Sequence, residues 1–213
     1  MCHLPHEQRG EDHVKTISRS VAAMTLVAAA VASSPSSAGQ PSRMMLHGPT
    51  SQPIGHYEFC QQYADECRPS GPLGVIKLTS ATWSKLIEVN RTVNTAIIPR
   101  TDQDIYGVPE KWAYPTTEGD CEDYVLLKQY MLEREGFPRS ALLITVVRQT
   151  SGDGHAVLTV RTDAGEFILD NLDNEILPWA QTPYIYLKRQ AENNPSRWTS
   201  IEDDRNLLVG SVR

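Results

Sequence analysis
One cysteine, one histidine and one aspartate in this chain stand where a thiol nucleophile and its helpers would have to stand. Cys121 lies in the run Gly119-Asp120-Cys121-Glu122-Asp123-Tyr124, which leads into a helical pattern. The start of a helix offers backbone N–H groups without intrahelical partners and the positive end of the macrodipole. Both favour a thiolate, which is the reactive form of cysteine. His155 follows a glycine turn, Gly152-Asp153-Gly154, and begins an apolar strand pattern. Asp170 ends another, Phe167-Ile168-Leu169-Asp170. A thiolate needs an imidazole to exchange its proton, and the imidazole needs a third group to orient it. In an antiparallel hairpin the start of one strand lies beside the end of the next. Cys121, His155 and Asp170 are therefore the candidate catalytic residues.

The carboxylates flanking Cys121 work against this chemistry, because like charge disfavours a thiolate. Two explanations stand open at this point. In one, Asp120 and Asp123 form a helix cap; in the other, Asp120, Glu122 and Asp123 ligate a hard cation through oxygen.

The chain has 213 residues and a formal charge of −6, which suits one domain and argues against a nucleic-acid partner. No internal repeat and no nucleotide-binding glycine pattern is present. Lys15 and Arg19 precede an uncharged apolar stretch over residues 21–32. Ala30-Val31-Ala32 and Ser36-Ser37-Ala38 are candidate cleavage sites. Residues 1–38 thus read as a signal and processing region, too short in its apolar part to span a bilayer. The expected location is periplasmic or secreted, with no transmembrane segment in the mature chain. Removal of the leader takes Cys2 with it. Cys60 and Cys67 then read as a disulfide in an oxidising compartment, which reserves Cys121 for chemistry.

Residues 39–55 are rich in Ser, Pro and Gly and predict a flexible arm. The catalytic domain is expected over 56–190, with a loop carrying the cysteine pair at its start. Thr79 or Ser80 caps a helix reaching Asn94. Residues 95–118, with Pro99, Gly107, Pro109 and Pro115, predict an irregular loop. The helix from Cys121 ends at Gly136 and Pro138. Strands are predicted over 141–147, 156–160, 166–169 and 184–187. Residues 191–213 read as a polar tail with Trp198 as an anchor. A helix followed by consecutive strands predicts an α+β fold, the Cys-bearing helix lying on an antiparallel sheet that bears His and Asp.

The runs GDCEDY with Lys128, Gly154-His155-Ala156-Val157-Leu158 and Leu169-Asp170-Asn171 resemble the bacterial transglutaminase-like cysteine proteinases. These are the LapG-type periplasmic proteases that cleave adhesins. Asn94, Asp102, Tyr106 and Trp112 also fit that pattern, and the resemblance extends over residues 56–188. It implies a papain-like, transglutaminase-core fold, with Cys121 as nucleophile, His155 as base and Asp170 as orienting group. It further implies Ca2+ beside the nucleophile at Asp120, Glu122 and Asp123. Implied partners are a surface adhesin as protein substrate and a membrane receptor as regulator. The leading expectation is an exported cysteine endopeptidase acting through a thioacyl-enzyme. A transglutaminase-like acyl transferase or amidase with the same triad, and a non-catalytic binding module, are the alternatives.

Overall fold
A computed structural model describes residues 42–205. The expected signal and processing region, the first part of the predicted arm and the last part of the predicted tail lie outside these residues. The chain forms nine strands and four α-helices among them. Strands β1 (Met45–Thr50), β4 (Leu142–Arg148), β5 (Gly154–Thr162), β6 (Gly165–Leu169), β7 (Leu177–Pro178), β8 (Ile185–Ala191) and β9 (Asn194–Glu202) build one sheet. Its order is β1-β9-β8-β4-β5-β6-β7, and every neighbouring pair is antiparallel. Strands β2 (Ile98–Pro99) and β3 (Glu118–Gly119) form a separate parallel pair. The expected α+β arrangement is observed.

Helix α2 (Ser80–Ala96) begins with a capping box between Thr79 and Thr82, which satisfies donors that the first turn leaves open. Its buried side chains Leu86, Val89, Asn90 and Val93 follow the spacing of one helix face. Helix α4 (Cys121–Arg134) ends where Gly136 adopts φ +87°. There the Phe137 N–H returns to the Leu132 carbonyl at 3.1 Å, the closure that a left-handed glycine allows. Val125, Leu126 and Leu132 of α4 join Leu142, Ile144, Ala156, Leu158 and Leu169 in the main core. Val147, Val157, Ile168, Tyr184, Tyr186 and Ile201 form a second cluster. Alternation along β5 divides Ala156 and Leu158 from Val157 in this way.

Several expectations need correction. Part of the predicted arm is strand β1, whose Gly48 and Pro49 hid it. The strand lies at a sheet edge, where proline is tolerated and few apolar residues are needed. The cysteine-bearing loop begins as helix α1 (Ile54–Gln62), which buries His56, Phe59 and Cys60 at helical spacing. Helix α3 (Asp102–Tyr106) interrupts the segment read as irregular. The polar tail contains β9, which pairs with both β1 and β8. Its Pro195, Trp198 and Ile201 are buried. Polar residues between them masked the strand. No helix among the described residues is long and apolar enough to cross a membrane.

The Cys60–Cys67 disulfide is present, joining α1 to a 3-10 turn at Ala64–Cys67. The closed loop spans a sequence separation of seven. Replacing both cysteines by alanine should lower the unfolding free energy by about 2–3 kcal/mol, as read by urea denaturation. An unchanged transition midpoint would mean that the cross-link adds nothing to the native state.

Candidate active site
The β5–β6 register pairs Leu158 with Leu169 and Thr162 with Gly165. Continued by one residue, it sets Asp170 opposite Val157. Residues two apart on a strand share a face, so His155 and Asp170 meet on a diagonal of that face. His155 Nε2 and Asp170 Oδ1 are 2.8 Å apart, and both side chains are buried. The Leu172 N–H also donates to Asp170 Oδ1, at 3.0 Å, and the Tyr184 hydroxyl donates to Oδ2. Burial alone would raise the Asp170 carboxyl. The hydrogen bond and charge of His155, with the Tyr184 and Leu172 bonds, outweigh it and hold Asp170 below the ordinary carboxylate range. Asn94 Nδ2 donates to the Asp170 carbonyl at 2.8 Å and ties the end of β6 to α2. With Nε2 donating to a carboxylate, neutral His155 keeps its lone pair on Nδ1.

Cys121 is the first residue of α4 and is 1% exposed. Its Sγ accepts the Ala156 N–H at 3.2 Å, next to His155 in sequence, and lies 3.0 Å from Glu122 Oε2. The helix start and the strand start are thus held together at the sulfur. Cys121 is disulfide-bonded in this structure, so the chemistry considered below is that of its reduced thiol.

The acidic residues divide into two groups. Asp102, Asp120 and Asp123 are buried, and one oxygen from each lies within 4.8 Å of the others. Asp102 Oδ1, Asp120 Oδ1 and Asp123 Oδ2 have no hydrogen-bond partner. Glu122 lies outside this group, with its carboxylate at the Cys121 sulfur. Asp120 does occupy the N-cap position of α4, yet its side chain makes no capping hydrogen bond. The Glu122 and Asp120 backbone N–H groups nevertheless lower the Asp120 and Asp123 carboxyls, so both explanations of the acidic residues stay open. Burial pushes the Asp123 carboxyl up to about 8, helped by the charges of Asp120 and Asp102. Burial and the charge of Asp120 push Asp102 up to about 6. Burial also raises Asp120, and burial with the charge of Asp120 raises Glu122 well above its ordinary range. Three carboxylates held this closely could hold a cation. Three are too few for calcium, which takes six to eight oxygens, so carbonyls and waters would complete the shell.

The same carboxylates fix the loop before α4. Asp102 Oδ2 accepts the Lys111 N–H, and Asp123 Oδ1 accepts the Ala113 N–H at 2.8 Å. Trp112, between these two residues, is buried against His56 and Trp198. A Cβ on Gly119 would come within 2.8 Å of Asp123 Cβ and Oδ2, so the approach of β3 to the cluster requires glycine there.

The sequence reading left three participants without a role. Tyr184 was the first residue of a strand prediction, and only the fold brings its hydroxyl to Asp170. Asp102 was noticed as part of a pattern, but nothing in its spacing links it to Asp120. Lys128 appeared in the motif and is completely buried.

A family model for the bacterial transglutaminase-like cysteine proteinases (BTLCP) matches residues 46–206. Two solved structures of LapG from Legionella pneumophila are similar to the chain. The calcium-bound one is 28% identical over 51% of this chain and 64% of its own, with a TM-score of 0.45. The EGTA-treated one is 24% identical over 59% of this chain and 74% of its own, with a TM-score of 0.46. The chain thus spans somewhat under two thirds of the first of these. No curated protein is significantly similar to it.

The raised Asp123 carboxyl has a consequence for stability. Its ordinary value is 3.8 and its folded value about 8. Between these the native state holds a proton that the unfolded chain has released, so stability falls as pH rises across the window. In chelator, Asp123→Asn should flatten that decline, since an amide can still accept the Ala113 N–H. Thermal midpoints measured from pH 5 to pH 8 check this, and parallel curves for the two proteins would contradict it.

Proposed function
The chain belongs to the bacterial transglutaminase-like cysteine proteinases, and we propose that it is an exported endopeptidase using Cys121, His155 and Asp170. The buried His155–Asp170 hydrogen bond, beside a sulfur fixed at the start of α4, carries this reading. The Cys121 proton passes to His155 Nδ1, the nitrogen left available by the bond to Asp170. The thiolate attacks a peptide carbonyl, and the Cys121 backbone N–H at the helix start is one donor for the oxyanion. The imidazolium returns its proton to the leaving amine, and a thioacyl-enzyme remains. His155 then takes a proton from water, which attacks the thioester and regenerates the thiol. Asp170 orients the imidazole throughout and stays ionised.

We assign Ca2+ to Asp102, Asp120 and Asp123, supported by their three unpartnered oxygens. Bound there, calcium would supply positive charge beside the nucleophile. Asp102 and Asp123 in turn hold the loop at Lys111 and Ala113 in place. The substrate class is a protein of the periplasm or cell surface. Adhesins, and regulation by a membrane receptor, are what the family resemblance suggests.

With reductant present, Cys121→Ala and His155→Ala should each lower kcat/KM by about a thousandfold or more without altering the circular dichroism. Asp170→Asn should be less severe. A folded Cys121→Ala protein of unchanged activity would end the thiol-peptidase reading. Comparing surface proteins from cells carrying wild type or Cys121→Ala would identify the substrate by its change in size. Ammonia release from a glutamine peptide in place of cleavage would indicate acyl transfer.

EGTA should suppress activity and added calcium restore it, with Asp102→Ala mimicking chelation. Full activity in EGTA, with no heat of binding on metal-stripped protein at millimolar calcium, would remove calcium from this account.

A further inference from the structure
The connection from β7 to β8 passes through a 3-10 turn at Trp179–Gln181 and ends on Tyr184, the residue before β8. Carbonyls outside a sheet ladder must find other donors. Arg205, beyond the end of β9, supplies them here. Its Nη1 donates to the Trp179 carbonyl at 3.1 Å and to the Thr182 carbonyl at 3.3 Å. Its Nη2 donates to the Tyr184 carbonyl at 2.6 Å and to Asp203 Oδ2 at 2.7 Å. Its Nε donates to Asp203 Oδ1 at 2.7 Å, so every N–H of the guanidinium has an acceptor. The Trp179 ring lies 4.6 Å from the guanidinium carbon and the Tyr186 ring 5.1 Å, contacts that suit a flat cation. Asp203 is tied to β8 in turn, accepting the Tyr186 N–H at 2.9 Å. Its side chain is 2% exposed and that of Arg205 17%. This is a built clamp on the segment that carries Tyr184.

Tyr184 joins the clamp to the triad. Its carbonyl is held by Arg205. Its hydroxyl donates to Asp170 Oδ2, and its ring centre lies 5.4 Å from that of His155. Asp170 Oδ1 serves His155 Nε2 and the Leu172 N–H, so the Tyr184 hydroxyl holds the other oxygen. Two held oxygens fix the rotation of the carboxylate. A carboxylate free to turn would carry its bond to Nε2 with it and let the imidazole swing away from the working geometry.

We propose that Tyr184 is a positioning residue of the triad, and that Arg205 acts on the site from a distance by holding Tyr184 against Asp170. The proposal rests on the triad reading given above. Neither residue is assigned a contact with substrate.

Two measurements test it. With reductant present, Tyr184→Phe, which removes only the hydroxyl, should lower kcat about tenfold and leave KM nearly unchanged. Arg205→Lys keeps the charge but cannot bridge the carbonyls of Trp179, Thr182 and Tyr184. It should lower kcat about threefold or more alone, and less than about 1.5-fold in a Tyr184→Phe background, because the hydroxyl it serves is gone. Equal losses in both backgrounds, or no loss in either, would overturn the action of Arg205 through Tyr184. An unchanged kcat in Tyr184→Phe would overturn the whole proposal. Should Arg205→Lys not fold, Asp203→Asn loosens the same clamp and takes its place. The second measurement needs no activity. The 15N NMR shifts of the neutral His155 ring should report the Nε2–H tautomer nearly alone in wild type and a mixture of both tautomers in Tyr184→Phe. The same tautomer balance in the two proteins would overturn the positioning role. If wild type shows no peptidase activity, the functional reading fails, and the His155 shifts still decide whether Tyr184 positions the ring.

Discussion

The register of β5 against β6 is the constraint on which the candidate site depends. It sets Asp170 across from Val157 and so on the same face as His155. A slip of one residue would turn one of them to the opposite face. The register is fixed by burial on both sides of the hairpin, with Leu158 and Leu169 in one core and Val157 and Ile168 in the other. The His155–Asp170 pairing is therefore a by-product of core packing. Cys121 is added to it from a different element, through the Ala156 N–H bond to its sulfur.

A second constraint is electrostatic. Asp102, Asp120, Glu122 and Asp123 are all buried near one helix start, and their carboxyls are all raised. Such a group repels its own ionisation. It is tolerable where protons or a cation neutralise it. Because two of these carboxylates also hold the loop before α4, charge state and loop geometry are a single variable here. Asp170 presents the contrasting case, being buried as deeply but supplied with donors and held ionised.

Local signals made much of this legible. The cap at Thr79, the helix from Cys121 to its glycine stop, and the β5–β6 hairpin were all visible as periodicity and turn chemistry. So was the meeting of His155 with Asp170, because hairpin geometry relates residues that are close in sequence. What escaped was non-local. Strand β1 has exposed or half-buried side chains throughout, and its partner β9 is more than a hundred residues away. Asp102 approaches Asp120 only because β2 and β3 pair. Tyr184 reaches Asp170 across the sheet.

The position of β9 also sets an order of events during synthesis. It is the last described strand to be made, yet it sits second in the sheet between β1, the first made, and β8. Helix α4 and strands β5 and β6 are all complete while the sheet still ends in an unpaired β8. The strand β1, meanwhile, has nothing to pair with. The long-range ladder from Met45 to Glu202 therefore closes last, and folding of this kind is slow because distant segments must meet. A nascent chain carries every residue of the candidate triad before it has a finished sheet to hold them. Premature termination before residue 194 would accordingly leave open edges and not a smaller working enzyme.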